Sequence, residues 1–395
     1  MKKKTLTYIV SALILYLLST GLSYGAFAIL APSASLRNIV ESPVPSGTQN
    51  SKSKFAIDPN LPRTETCPLN GLKYPTKYRE MWEKRRPLAV MIENSVDARP
   101  QSGLSLADIV YETVAEGGTT RFMGMYHCGA TLGNINLAPV RSARIYYVNW
   151  VSEYDALYNH VGGAGRCDDP TVDERAKALC AIGRHGIKDL DQFGISFPHC
   201  YRNYDRLDRT VATEHTMVCL SDNLFDIGEK RGWTNVDEEG TSWDEDFTPW
   251  KFKEDAKEND RGAVSPIAFG FWEGYKAYEV RWDYDKASNS YKRFTAGEAH
   301  MDLETEEQLQ AKNVVIMFAK ETRGVDEHAH LLYDNIGTGK AIIFQDGKSI
   351  VGTWKKATRT ARTLFYDAGG KEVSFNPGQI WVQMLPLGNE VQYPQ

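Results

Sequence analysis

The chain has 395 residues, 42% of them hydrophobic and 25% charged, with a net charge of −5, so it is globular in composition and long enough for two domains of ordinary size. Its acidic balance, with a pI near 6.0, lacks the basic surface that phosphate contacts need and excludes a general nucleic-acid binder.

Lys2, Lys3 and Lys4 precede a run, 5–36, that contains no charged residue, and 9–18 is nearly all apolar. A basic cluster before an apolar run takes a chain into the export pathway with its N-terminus held inside. Ala26-Phe27-Ala28 fits a cleavage site. Alternatively, 6–30 spans the bilayer, which needs roughly 20 apolar residues. The length of the uncharged stretch favours a retained anchor, so 1–36 is read as a signal peptide or transmembrane anchor. Residues 37–66, rich in Pro, Ser, Thr and Asn and without periodicity, read as a flexible tether.

The N-terminal body is expected over 67–230. Apolar runs at 88–92, 109–113 and 122–126 predict strands. Tyr147, Trp150, Val151, Tyr154, Leu157 and Tyr158 at spacings of three and four predict a helix, with Ser142 as its N-cap. Gly162 to Gly165 is a turn and not a phosphate loop. Six cysteines, Cys67, Cys128, Cys167, Cys180, Cys200 and Cys219, in an exported chain point to disulfides. A metal site using His127-Cys128 or His199-Cys200 lacks any CxxC spacing. Asp169-Pro170 ahead of TVDERAKALCAIG predicts a helix over 170–181. Cys167 and Cys180 would then stand roughly 20 Å apart, too far to bond, with Cys200 and Cys219 as nearer partners.

Residues 231–265 form an acidic stretch with Trp233, Trp243 and Trp250, read as an ordered connector carrying surface aromatics. The C-terminal domain, 266–386, shows alternation at 278–284, a turn at 285–290, apolar runs at 313–319 and 341–344, a hairpin signal at 345–347 and one helical patch at 304–311. The expected fold is α+β: a mixed α/β N-terminal domain followed by a smaller, mostly β C-terminal domain.

Several segments stand in a family order: Pro68-Leu69-Asn70-Gly71, Arg86-Pro87-Leu88-Ala89-Val90-Met91-Ile92-Glu93-Asn94, ARPQ at Ala98 followed by GL, AD and VYE up to Glu112, EGG-x-TRF from Glu116 to Phe122, and PVRSAR from Pro139 to Arg144. They resemble the YerB-like family of bacterial cell-envelope proteins. The later segments YDKASNSYKRF, IGTGKAIIFQDGKSIVGTW and NPGQIWVQMLP keep that order, so the resemblance covers about 67–386. It implies a protein of the cell envelope, from a domain family whose function is undefined. Many relatives are lipoproteins. Here the first cysteine is Cys67, too far along for lipidation.

Candidate chemistry gathers around Arg141 and Arg144, which bracket Ser142 where a helix start already carries positive charge. An anion between them makes sense of that placement, either an external phosphate or carboxylate or an internal glutamate, Glu93, Glu112 or Glu116. Arg99 and Arg121 join either version. His160 faces the same cleft. No cofactor or metal is expected. HExxH is absent, and His328 and His330 read as a surface loop. The expected function is non-enzymatic: a membrane-tethered, extracytoplasmic protein that binds an anionic wall polymer or an envelope protein. The alternative is an envelope glycan or peptidoglycan hydrolase with Glu93, Glu112, Glu116 and His160 as its acid/base pool. A third reading, a scaffold, draws on the tryptophans of the connector.

Overall fold

The structure is a computed structural model, and residues 54–394 are described. The expected anchor and most of the tether lie outside the described residues. The first three apolar runs form β1 (Leu88–Glu93), β2 (Ile109–Glu116) and β3 (Thr119–Tyr126). Gly117 and Gly118 turn β2 into β3, both at positive φ, 56° and 79°, as a two-residue hairpin turn requires. A Cβ at Gly118 would also meet the Tyr275 ring at 2.2 Å.

β4 (Leu157–His160) and β5 (Lys188–Asp191) extend the sheet, β4 parallel to β1 and β5 parallel to β4. The C-terminal half supplies β6 (Asn313–Ala319), β7 (Gly337–Gln345), β8 (Lys348–Lys356), β9 (Leu364–Asp367) and β10 (Ile380–Pro386). All ten strands share one sheet, in the order β9-β8-β7-β6-β10-β2-β3-β1-β4-β5. β10 lies between β6 and β2, parallel to both, with Gln383 opposite Glu112. Buried on both faces, the central strands read as unbroken apolar runs.

Among the described residues there are five α-helices: α1 (Thr76–Trp82), α2 (Ile145–Val151), α3 (Ala178–Arg184), α4 (Gln192–His199) and α5 (Ser221–Lys230). Helix α2 covers one face of the sheet, where Trp150 stacks on Tyr111 at 4.7 Å. Successive residues of a strand face opposite ways, so Glu112 points to the other face. There the antiparallel pair Val280–Asp285 and Ser290–Thr295 packs, with Trp282 against Trp381. The fold is α+β with a mostly β C-terminal region. The expected helical patch at 304–311 is instead a turn followed by the short strand Gln310–Ala311.

Two other helices differ from expectation. Helix α2 starts after Arg144, which has extended backbone and is the N-cap residue, so Ser142 caps nothing. It stops at Val151; Asp155 adopts a positive φ of 42°, and Leu157 and Tyr158 pass into β4. The helix expected over 170–181 begins only at Ala178. Asp169 and Asp173 accept hydrogen bonds from the backbone N–H groups two residues ahead, Thr171 and Arg175, both at 2.9 Å. These local turns compete with helix. The loop folds back, Cys167 and Cys180 come to a Cα separation of 4.6 Å, and they form a disulfide. The expectation that this pair stays apart is therefore overturned. Cys200 and Cys219 bond to each other across paired strands, and Cys67 bonds to Cys128.

Two of the connector's three tryptophans are buried rather than on the surface, Trp243 against His127 and Phe247 and Trp250 against Phe365 and Phe375, while Trp233 is half-buried. Mass spectrometry of unreduced peptides should recover the three bonds Cys67–Cys128, Cys167–Cys180 and Cys200–Cys219. Replacing Cys167 and Cys180 together by serine should cost about 2–4 kcal/mol; a Cys167–Cys200 or Cys180–Cys219 peptide would refute the loop.

Candidate functional site

Strands β1, β2, β4 and β5 all run in one direction, so their carboxyl ends line one edge of the sheet. Glu93 ends β1, Glu116 ends β2, His160 ends β4 and Asp191 ends β5, while Arg121 enters with the first residues of antiparallel β3. The segment carrying Arg141 crosses above them: its N–H donates to the Met91 carbonyl and its carbonyl accepts from Val161, at 2.9 and 3.1 Å. In open α/β sheets this carboxyl edge is where loops converge and ligands bind.

The charges at this edge are largely met from within. Glu116 holds both Arg121 and Arg144, at 3.0 and 2.7 Å. Burial alone would raise its carboxyl, but the two guanidinium charges and their hydrogen bonds outweigh burial and hold it at about 2. Arg121 also donates to the Ser142 carbonyl at 2.9 Å, so Ser142 contributes its backbone. Arg141 lies 3.3 Å from Glu93, whose other oxygen is 2.9 Å from His215 Nδ1. Of the three arginines here, Arg141 alone keeps a substantial open face: its side chain is 26% exposed, against 3% for Arg121 and 10% for Arg144. Glu214 is held below its usual value by its own backbone N–H and, against burial, by His215, Arg141 and Arg202. Glu214 and Arg202 thereby add one negative and one positive charge to the surroundings of this group. Phe193, 75% exposed, sits over Gly162 at the same edge.

The remaining predicted residues are placed differently. His160 is buried; its Nδ1 is 2.8 Å from the Gly162 carbonyl, and its Nε2 is 3.0 Å from Asp189 without the alignment of a hydrogen bond. Arg99 is turned onto Asn94, at 3.0 Å from its side chain and 3.1 Å from its carbonyl. Glu112 is not at the edge at all. It is fully buried against Arg293 at 2.9 Å, with Gln383 and Thr120 donating at 2.8 and 3.0 Å. Burial pushes Arg293 down to about 10 despite the pull of Glu112. Sequence reasoning missed His215, Arg202 and Arg293. The first two lie outside the quoted motifs, and a partner 181 positions away leaves no local spacing.

Among the described residues one grouping has metal-ligand proximity, Cys67, Asp108 and Cys128. Its two sulfurs are joined as a disulfide, so no thiolate is present to ligate. Asp108 accepts from the N–H groups of His127, Cys128 and Gly129 and closes a turn.

Residues 75–218 match the model described as "Protein of unknown function (DUF3048) N-terminal domain", and 270–382 match its C-terminal domain. The chain belongs to the DUF3048 family. A curated relative is the "Putative lipoprotein YerB" of Bacillus subtilis (strain 168), 28% identical over 340 residues, 83% of this chain and 88% of that protein. The crystal structure of YerB from Bacillus subtilis superposes with a TM-score of 0.67 at 25% identity, over 83% of this chain and 100% of that one. The YerB-like resemblance read from the motifs is thus confirmed. Among the described residues no helix is long and apolar enough to cross a membrane; the expected anchor lies outside them.

The depressed Glu116 carboxyl gives a pH signature. Its stabilisation is complete above its ordinary value of 4.5 and is lost as pH falls toward about 2. Denaturant melts should show Glu116→Gln destabilised at pH 7 and flatter than the parent through that acid window; parallel curves would refute the pairing. Arg293→Ala strands the Glu112 charge in the core and should cost about 3–5 kcal/mol. A loss under about 1 kcal/mol, as for surface substitutions, would contradict that burial.

Proposed function

We propose that this DUF3048 protein is tethered to the cell membrane by its N-terminal segment, faces outward, and binds an anionic component of the envelope, a wall polymer or an acidic partner, at the carboxyl edge around Arg141. The observation that carries this reading is the open guanidinium of Arg141 amid arginines that are otherwise sealed. Three arginines, Arg121, Arg141 and Arg144, meet two glutamates, Glu93 and Glu116, so this cluster keeps an excess positive charge. Arg202 is offset by Glu214, and exposed Phe193 offers an apolar contact beside the cluster. The hydrolase alternative needs two carboxyls facing an open groove. Glu93, Glu112 and Glu116 are instead each engaged by an arginine, which speaks against acid–base use. Outward orientation draws on the lysine-flanked apolar leader and on the lipoprotein name of the relative.

Arg141→Ala should weaken co-sedimentation with purified phosphate- or carboxylate-bearing wall polymers by about tenfold. Arg141→Lys should fail similarly, because an ammonium lacks the two-pronged geometry. The thermal melt should move little, since Glu93 retains His215 and Arg141 is partly in water. Unchanged binding in both variants would overturn the site. Protease added to intact cells should digest the folded body, whereas protection of the body would overturn the outward orientation.

A further inference from the structure

A separate cavity of about 290 Å³ lies near the amino ends of β1 and β4, between the end of α2, the connector and the loop that links β8 to β9. Opposite charges line it. Arg359, on the β8–β9 loop, donates to Ser152 Oγ at 2.6 Å, and burial lowers its pKa. The connector contributes Glu245 and Asp246, both exposed at the cavity. Neither these acids nor Arg359 has an ion-pair partner among the described residues. Among the other charges at the cavity, Glu153 is held by Lys356 and Arg362, Asp155 by Arg86 and Lys188, and Asp237, also on the connector, accepts from the backbone N–H groups of Glu239 and Thr241. Trp243 and Phe247, with ring centres 5.1 Å apart, give the cavity an apolar wall.

Unpaired opposite charges around one gap attract each other, yet they do not close it. Arg359 is tied to Ser152, and the connector is pinned by buried Trp243 and Trp250. An anion alone would meet the repulsion of Glu245 and Asp246, and a cation alone that of Arg359. The gap approaches the lower end of small-molecule sites, roughly 300 Å³. We infer that this cavity binds a small zwitterion, an amino acid or dipeptide, with its carboxylate on Arg359 and its ammonium toward Glu245 and Asp246. The site is distinct from the Arg141 edge and does not depend on it.

Titration calorimetry on the full chain in detergent separates the possibilities. Alanine and alanyl-alanine, in both enantiomeric forms, carry both charges; propionate and ethylamine carry one each. The zwitterions should bind, with propionate and ethylamine weaker by about tenfold, the worth of one charge-assisted hydrogen bond. Arg359→Gln should weaken dipeptide binding by a similar factor. The double variant Glu245→Gln/Asp246→Asn, whose side chains are exposed and unpaired, tests the other pole even if the arginine variant melts early. Propionate binding as tightly as alanine, absence of zwitterion binding at millimolar concentration, or full binding by the double variant would each overturn the inference.

Discussion

The fold turns on a charge buried between its two halves. Glu112, in the middle of β2, and Arg293, on the small sheet of the C-terminal half, are both removed from water. Such a pair repays its desolvation only when the remaining lone pairs and protons are also used. Here they largely are. Gln383 of β10 and Thr120 of β3 donate to the carboxylate. The guanidinium lies over the Trp381 ring at 4.5 Å and donates to His300 at 3.1 Å. His300 Nε2 in turn meets the Gln101 side chain at 2.7 Å, and Gln101 donates to the Glu93 carbonyl. One polar chain therefore runs from the sheet interface to the end of β1. An apolar contact would tolerate sliding between the halves; a buried pair with this many partners specifies one register.

That register determines what the carboxyl edge looks like. With β10 paired to β2 and β3 to β1, the strand ends carrying Glu93, Glu116, His160 and Asp191 fall along one line. The hairpin glycines let β3 return at once, bringing Arg121 back between Glu93 and Glu116. Most of the positive charge is then neutralised locally, which stabilises the loops and leaves Arg141 as the open cation. A binding role follows from this economy of charge more readily than proton transfer, since a general acid or base needs a carboxyl free to exchange its proton with substrate.

At the other end of β1 and β4 the arrangement is the reverse. Charges on the connector and on the β8–β9 loop are kept apart by rigid anchors, the buried tryptophans and the Ser152 bond. The connector, read as ordered from its tryptophans, is held in place by Trp243 and Trp250, and the chain brings Arg359 to the same cavity more than a hundred residues later.

The sequence by itself determined the family, the α+β class and the central strands, and it singled out Glu93, Glu116, Arg121, Arg141 and Arg144, though not His215 or Arg202, while it wrongly set Glu112 at the same edge. Those signals are local: period-two and unbroken apolar runs, turn glycines, and motifs read within a few positions. The tertiary structure alone decided who pairs with whom. Arg121 and Arg144 share Glu116, Arg141 takes Glu93, and Glu112 goes to Arg293 far along the chain, a choice that spacing cannot reveal. Local reasoning failed where side chains compete with the helix. Asp169 and Asp173 turned a helical pattern into a loop and brought Cys167 to Cys180. Arg144, extended at the start of α2, displaced the cap expected at Ser142. Periodicity measures which residues can share a face; it is blind to a carboxylate that bonds its own backbone and to a partner brought in by a distant strand.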